Sequence, residues 1–200
     1  MQPIIANPRA SLGAGLAIAA AVLVVWLVAA GADALGLFSF LVRLLHVLGA
    51  MVWVGLVFFI NFVQLVALQA ADEQGRGFLH KAIVPDVAWW FRHASTVTVV
   101  SGAVLLVTTG YLLPGLIYGA GVYVPASRAW LIGFGLIGAL AMWMFVHMYI
   151  WPNMRVVLGL RSGDAEAKGR ARARVITFAR LNLVLAVPVT LAMVAAAHLY

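Results

Sequence analysis

ALAMWMFVHMYIWPNMR, residues 139–155, is apolar enough to lie in lipid, yet it places His147 four residues ahead of a Trp-Pro pair. Such a run belongs to the core of a soluble domain or to a membrane span, and the rest of the chain decides which. Of 200 residues, 65% are hydrophobic and 10% charged, with a mean hydropathy of +1.06. Soluble domains carry roughly 25% charged residues, so this chain reads as an integral membrane protein. A helix needs roughly 20 mostly apolar residues to cross a hydrocarbon core of about 30 Å. Five stretches reach that length: 11–31, 38–69, 88–113, 128–151 and 176–199.

Lipid offers the backbone no hydrogen-bond partners, so spans are helices or closed barrels, and continuous apolar runs without alternation select helices. The expected fold is all-α, a polytopic integral membrane bundle of five transmembrane helices in a single domain, 1–200. The segment LRSGDAEAKGRARARV (160–175) is too short and too charged to build a core; it reads as a solvated extension of the fourth and fifth helices, close to anionic headgroups. Pro114 and Pro152 mark kinks or exits near span ends, and Pro188 falls inside the fifth span. Gly49, Gly55, Gly102, Gly133, Gly135 and Gly138 let helices, or a flat ligand, approach the backbone closely. Asn61, Gln64 and Asn182 are expected to hydrogen-bond between helices, because an unpaired amide in hydrocarbon is costly.

The net charge of +7 is unevenly placed along the chain. Arg9, Arg76, Lys81, Arg92, Arg155, Arg161, Lys168, Arg170, Arg172, Arg174 and Arg180 fall on one side of the five-span topology, leaving Arg43 and Arg128 for the other. The positive-inside rule then puts the N-terminus in the cytoplasm and the C-terminus outside. These charges read as orientation signals, not as a nucleic-acid surface. Arg9 and the small residues of VAAGADA (28–34) imitate a signal peptide, but the apolar stretch between them is too long for one.

Several chemistries are excluded. Without cysteine there is no disulfide, thiolate metal site, iron–sulfur cluster or thioether-linked haem. Asp33, Asp72, Glu73, Asp86, Asp164 and Glu166 all fall in loops or at interfaces, which leaves no buried carboxylate relay for proton pumping. No nucleotide-binding loop, Ser-His-Asp series or HExxH motif occurs, so hydrolysis and phosphoryl transfer are poorly supported.

The histidines carry the remaining chemistry. His80 falls in a loop and is expected to be solvated, whereas His46, His93, His147 and His198 fall within or at the edges of spans, where an ionisable residue suggests function. His46 and His198 lie near the outer surface. His93 and His147 lie at matching depths on the inner side, each with tryptophan about one turn nearer the interface: Trp89 and Trp90 for His93, Trp151 for His147. At 1.5 Å per residue, the two tiers stand roughly 15–20 Å apart in a core of about 30 Å.

Two histidines from different helices at one depth suit b-type haem, whose iron takes two axial imidazoles while its macrocycle fills the bundle. Its propionates need cations: Arg43 and Arg128 outside, Arg92, Arg155 and Arg180 inside. The expected cofactor is one or two haem b, with His46/His198 and His93/His147 as ligand pairs. Three alternatives stand beside it: a membrane oxidase with a single open haem site, a haem-free accessory subunit, and a copper transporter using His with Met51, Met144, Met148 or Met193. In any plain packing role these methionines simply fill gaps.

FLVRLLHVLGAMVWVGLVFF (40–59), IWPNMRVVLG (150–159) and ARLNLVLAVPVTLAMVAAAH (179–198) resemble the membrane domain of the bacterial membrane-bound urate oxidase family. The likeness runs through most of the chain from about residue 38. It rests on the patterns His-x6-Trp-x-Gly, Trp-Pro-Asn and Arg-x-Asn-x5-Pro, matched by His46, Trp53, Trp151, Asn153, Arg180, Asn182, Pro188 and His198; His93 and His147 fall outside the match. The larger members of that family carry an external c-type cytochrome domain. The resemblance therefore implies a protein of the bacterial cytoplasmic (inner) membrane that passes electrons from a membrane donor, quinol or a partner dehydrogenase, to an external acceptor such as cytochrome c. These 200 residues contain no CxxCH, so the expectation is the membrane region without the cytochrome domain. More distantly, the chain resembles the haem-containing membrane protoporphyrinogen oxidases and shares a general look with copper-uptake membrane proteins.

Overall fold

The computed structural model describes residues 6–31, 33–112 and 125–199. Pro114 and the end of the third expected span lie outside them. The described chain is helical, with five helices long and apolar enough to cross a membrane. This is the expected all-α membrane bundle. The long helices are α1 (Pro8–Ala30), α2 (Ala34–Ala70), α4 (Val84–Thr108), α5 (Ala126–Val157) and α6 (Ala165–His198); a shorter α3 (Glu73–Ala82) follows α2.

Two compact units are present, Met1–Phe40 and Leu41–Tyr200, with α2 beginning in the first and continuing through the second. In the first unit Asn7 caps α1 by accepting from the Arg9 amide, Pro8 occupies the first turn, and Gly31 (φ 63°) ends the helix in the left-handed region. No residue of α1 is buried, so its stability in water would be marginal and lipid must solvate it. Within this unit the Trp26 and Phe40 rings lie 5.8 Å apart.

The second unit holds the core. Along α6 the buried residues are Ala171, Val175, Ala179, Asn182, Ala186, Val189, Ala192 and Ala196, a stripe at mixed three- and four-residue spacing on one helix face. Most are small, which lets α5 pack tightly against them. A Cβ at Gly135 would stand 2.7 Å from Met193 Cε, and one at Gly138 would collide with Val189. Gly49 brings α2 equally close to α4: a Cβ there would lie 2.9 Å from Thr98 Oγ1.

Both longer central helices contain a π-helical turn, Ile60–Gln64 in α2 and Phe145–Ile150 in α5. The second immediately precedes Trp151–Pro152, where proline lacks an N–H and its ring crowds the carbonyl four residues earlier. The wider turn absorbs that conflict, so α5 continues to Val157 where an exit was expected. In the first, Asn61 Nδ2 donates to the Val57 carbonyl at 2.8 Å and to Ala179 of α6 at 3.2 Å. Asn61 thus makes the expected interhelical bond. Asn182 instead donates to Phe178 of its own helix.

The charged connections are also helical. Asp164 caps α6 by accepting from the Ala167 amide at 2.7 Å, and Glu166 pairs with Arg170 one turn on. The helix therefore starts before the expected apolar boundary. Asp72 caps α3 in the same way through Gly75, with Glu73 in its first turn and His80 and Lys81 in its last. Those charges complement the helix dipole, so a segment expected as loop is a helix.

Candidate functional site: two Trp-His clamps and a basic cavity

His93 and His147 are built alike. On α4 the imidazole Nδ1–H of His93 donates to the Trp89 carbonyl at 2.7 Å, and its ring stacks on Trp89 with centroids 4.1 Å apart. On α5 the Nδ1–H of His147 donates to Trp143 at 3.1 Å, and the rings stack at 4.5 Å. Each is a Trp-x3-His clamp: the tryptophan one turn earlier supplies both an acceptor and a flat surface. Engagement of Nδ1 fixes the tautomer that leaves Nε2 as the lone-pair nitrogen, as in metal-ligating histidines.

The segments of α4 and α5 that carry them pack against one another. The inner pair expected from sequence thus stands on neighbouring helices. Two details differ. The tryptophan on His147 is Trp143, not Trp151; Trp151 carries the Arg92 guanidinium, 4.8 Å above its ring. His93 is also exposed rather than turned into the bundle, because Phe91, Ala94, Ser95 and Thr98 occupy the buried face of α4.

Thr96 is a partner that the sequence reading passed over. Its Oγ1 lies 3.1 Å from His147 Nε2 and 3.4 Å from Trp143 Nε1. The polar run Ser95, Thr96, Thr98 and Ser101 in an otherwise apolar span was the available signal.

The outer histidines are arranged differently. His46 Nδ1–H donates to the Thr98 carbonyl of α4 at 2.8 Å, and a Cβ at Gly102 would come within 2.9 Å of its Cε1. Its recorded polar partners are on α4 rather than α6. His198 is exposed in the last turn of α6. Nearby, Arg128 donates through Nε to the Ala196 carbonyl at 2.9 Å and lies over Tyr111. Arg43, Arg155 and Arg180 are exposed. Among the candidate copper ligands, Met193 packs on Gly135 while Met51, Met144 and Met148 face outward. No group of three His, Asp or Glu able to hold a metal ion occurs among the described residues.

Beside the inner clamps lies a cavity of about 300 Å³. Its apolar walls include Ile60, Leu65, Phe91, Val146, Ile150 and Val175, and its polar positions are Gln64, Gln69, Arg76, His80, Arg92 and Arg172. Both π-helical turns contribute to this lining, in keeping with the occurrence of such turns at functional sites. His80, expected in a solvated loop, instead lines this cavity, and its Nδ1 is buried and unpartnered. Burial, and then the charge of Arg172, push its pKa below the usual 6.5. Gln64 is 7% exposed, and its Oε1 is also without a partner. Convergence of Arg76, Arg92 and Arg172 agrees with their assignment to one membrane side.

Comparison with protein-family models, with curated proteins and with solved structures finds no match in any of the three.

Proposed function

We propose that this multi-pass membrane protein binds haem b through His93 and His147 and carries electrons in the bacterial cytoplasmic membrane. The observation that carries this reading is the matched pair of Trp-x3-His clamps on α4 and α5. Each holds Nδ1 on a backbone carbonyl and leaves Nε2 for a metal, which is the donor set a b-type haem requires. Bound there, the haem supplies one-electron redox chemistry.

The chain's own residues do the rest. Trp89 and Trp143 orient the imidazoles, and Arg92 provides a cation for a propionate. The exposed position of His93 puts such a site at the bundle surface, where lipid or a partner subunit would cover it. The resemblance to the urate oxidase membrane domain supports a quinol or dehydrogenase donor and an external cytochrome c acceptor. An outer haem receives less support, since His46 is held by α4 and His198 is exposed at a helix end.

A second reading has its own observation. Thr96 already meets His147 Nε2, and the Thr98 carbonyl meets His46; a haem-free subunit would use these bonds to join helices. Reduced-minus-oxidised spectra and haem quantification of detergent-purified protein separate the two. Haem near one per chain, lost in His93→Ala and His147→Ala but kept in His80→Ala, supports the proposal. Absence of haem after haem-replete expression, or unchanged spectra in both clamp variants, overturns it.

A further inference from the structure

The cavity poses a charge problem that the haem reading addresses only through Arg92, leaving Arg76 and Arg172. Arg76, Arg92 and Arg172 reach it from α3, α4 and α6, and among the described residues no acid lines it. Among the described residues the recorded ion pair is Glu166–Arg170, and none of these three arginines has a carboxylate partner. Arginines at a membrane surface commonly extend singly toward water. Here three of them, Arg92 half-buried and Arg76 and Arg172 exposed, line one partly open, largely apolar cavity from three helices.

Two further observations point to an occupant. Gln64, 93% buried with an unsatisfied Oε1, and His80, with an unsatisfied Nδ1, both belong to the cavity lining. Buried polar atoms without partners are costly, and both side chains share that lining with the three arginines. The remaining wall is aliphatic and aromatic. About 300 Å³ is at the lower end of small-molecule sites. It can hold a headgroup and the first part of a chain, with the tail continuing into lipid.

We propose that the cavity binds an amphiphile with an oxyanion headgroup. The head lies among Arg76, Arg92 and Arg172, with Gln64 and His80 completing its hydrogen bonds, while the tail runs against Phe91, Ile150 and Val175. Guanidinium groups recognise carboxylate and phosphate alike, so the ligand is an anionic phospholipid of the surrounding leaflet or a free fatty acid. A neutral quinone would leave three cations uncompensated.

Native mass spectrometry of the full chain in neutral detergent tests this with three probes: phosphatidylglycerol, oleate and phosphatidylethanolamine. One molecule of phosphatidylglycerol or oleate is expected to be retained per chain, at least tenfold more tightly than phosphatidylethanolamine. Preference for the first identifies a lipid, and preference for the second a free acid. The double variant Arg76→Gln/Arg172→Gln is expected to lose at least tenfold in affinity. Arg170→Gln/Arg174→Gln removes the same charge from positions outside the cavity and should retain binding. Ala88→Leu, which fills the apolar wall without altering charge, should also weaken binding.

Equal retention of all three probes overturns the proposal. So does equal weakening by both double variants, or undiminished binding by both Arg76→Gln/Arg172→Gln and Ala88→Leu. Circular dichroism checks that each variant remains helical. These readouts use no haem signal, so this proposal and the cytochrome reading can fail independently.

Discussion

Replacing Thr96 by valine separates a cofactor clamp from a helix-joining bond, because the two roles predict opposite signs. Thr96 Oγ1 stands 3.1 Å from His147 Nε2, the atom that an iron would need. Valine keeps the branched shape and removes the hydroxyl. Hydrogen bonds between membrane helices contribute about 0.6 kcal/mol on average and up to about 1.7 kcal/mol. When His147 serves as an axial ligand, that bond must break before iron binds, so its energy opposes haem affinity. At about 1.4 kcal/mol per factor of ten, Thr96→Val tightens haem binding by about 3- to 16-fold. The same substitution lowers the thermal stability of the haem-free protein by the corresponding about 0.6–1.7 kcal/mol. Titration of haem-depleted protein in detergent, followed at the Soret band, measures the first effect; thermal unfolding measures the second. A helical Thr96→Val protein with unchanged or weaker haem affinity refutes ligation through His147 Nε2.

Other perturbations test the scaffold and the cavity. Gly138→Ala drives a Cβ into Val189, a stiff β-branched neighbour; overpacking costs about 1–3 kcal/mol. The gain in helix propensity returns about 0.8–1 kcal/mol, so denaturant unfolding in micelles should show a net loss of up to about 2 kcal/mol. Gly135→Ala meets the flexible end of Met193 instead, and stability within about 0.5 kcal/mol of the parent is expected. Asn61→Ala removes the bonds to Val57 and Ala179 and should destabilise by about 1–2 kcal/mol. His80 should make stability depend on pH. Burial and Arg172 depress its folded pKa below 6.5, so the unfolded chain binds the proton more readily and stability falls as pH drops below about 6.5, levelling off beneath the folded pKa. The charged group bearing on it is Arg172 on α6, while Arg76 and Arg92 share its cavity lining. A His80→Gln protein that retains the same pH dependence in thermal unfolding contradicts this assignment.

Parts of this architecture were legible in the residues alone because they depend on properties that survive without neighbours. Lipid excludes an unpaired backbone, so long apolar runs become helices wherever their faces point. Depth follows from counting residues at a fixed rise, and His93 and His147 do stand on neighbouring helices. The Asp72 cap and the charges flanking it are local signals of a helix start too, but the segment is too short and polar to register as a membrane span. Once Glu73–Ala82 is helical, His80 leaves solvent for the cavity wall.

Which way a side chain faces needed the tertiary structure. One residue turns a helix by about 100°, and a π-helical turn inserts an extra residue into that count. Two such turns, at Ile60–Gln64 and Phe145–Ile150, change the faces presented on either side of them. His147 stacks on Trp143, as His93 does on Trp89 in a helix without such a turn, while Trp151 meets Arg92. Likewise, Gln64, His80 and three arginines distant in sequence surround one cavity only after α2, α3, α4 and α6 pack. Hydropathy, an intrinsic sum over each run, determined that the chain is a helical membrane protein. Packing, which selects one rotation for each helix from many of similar hydropathy, decided which polar groups meet.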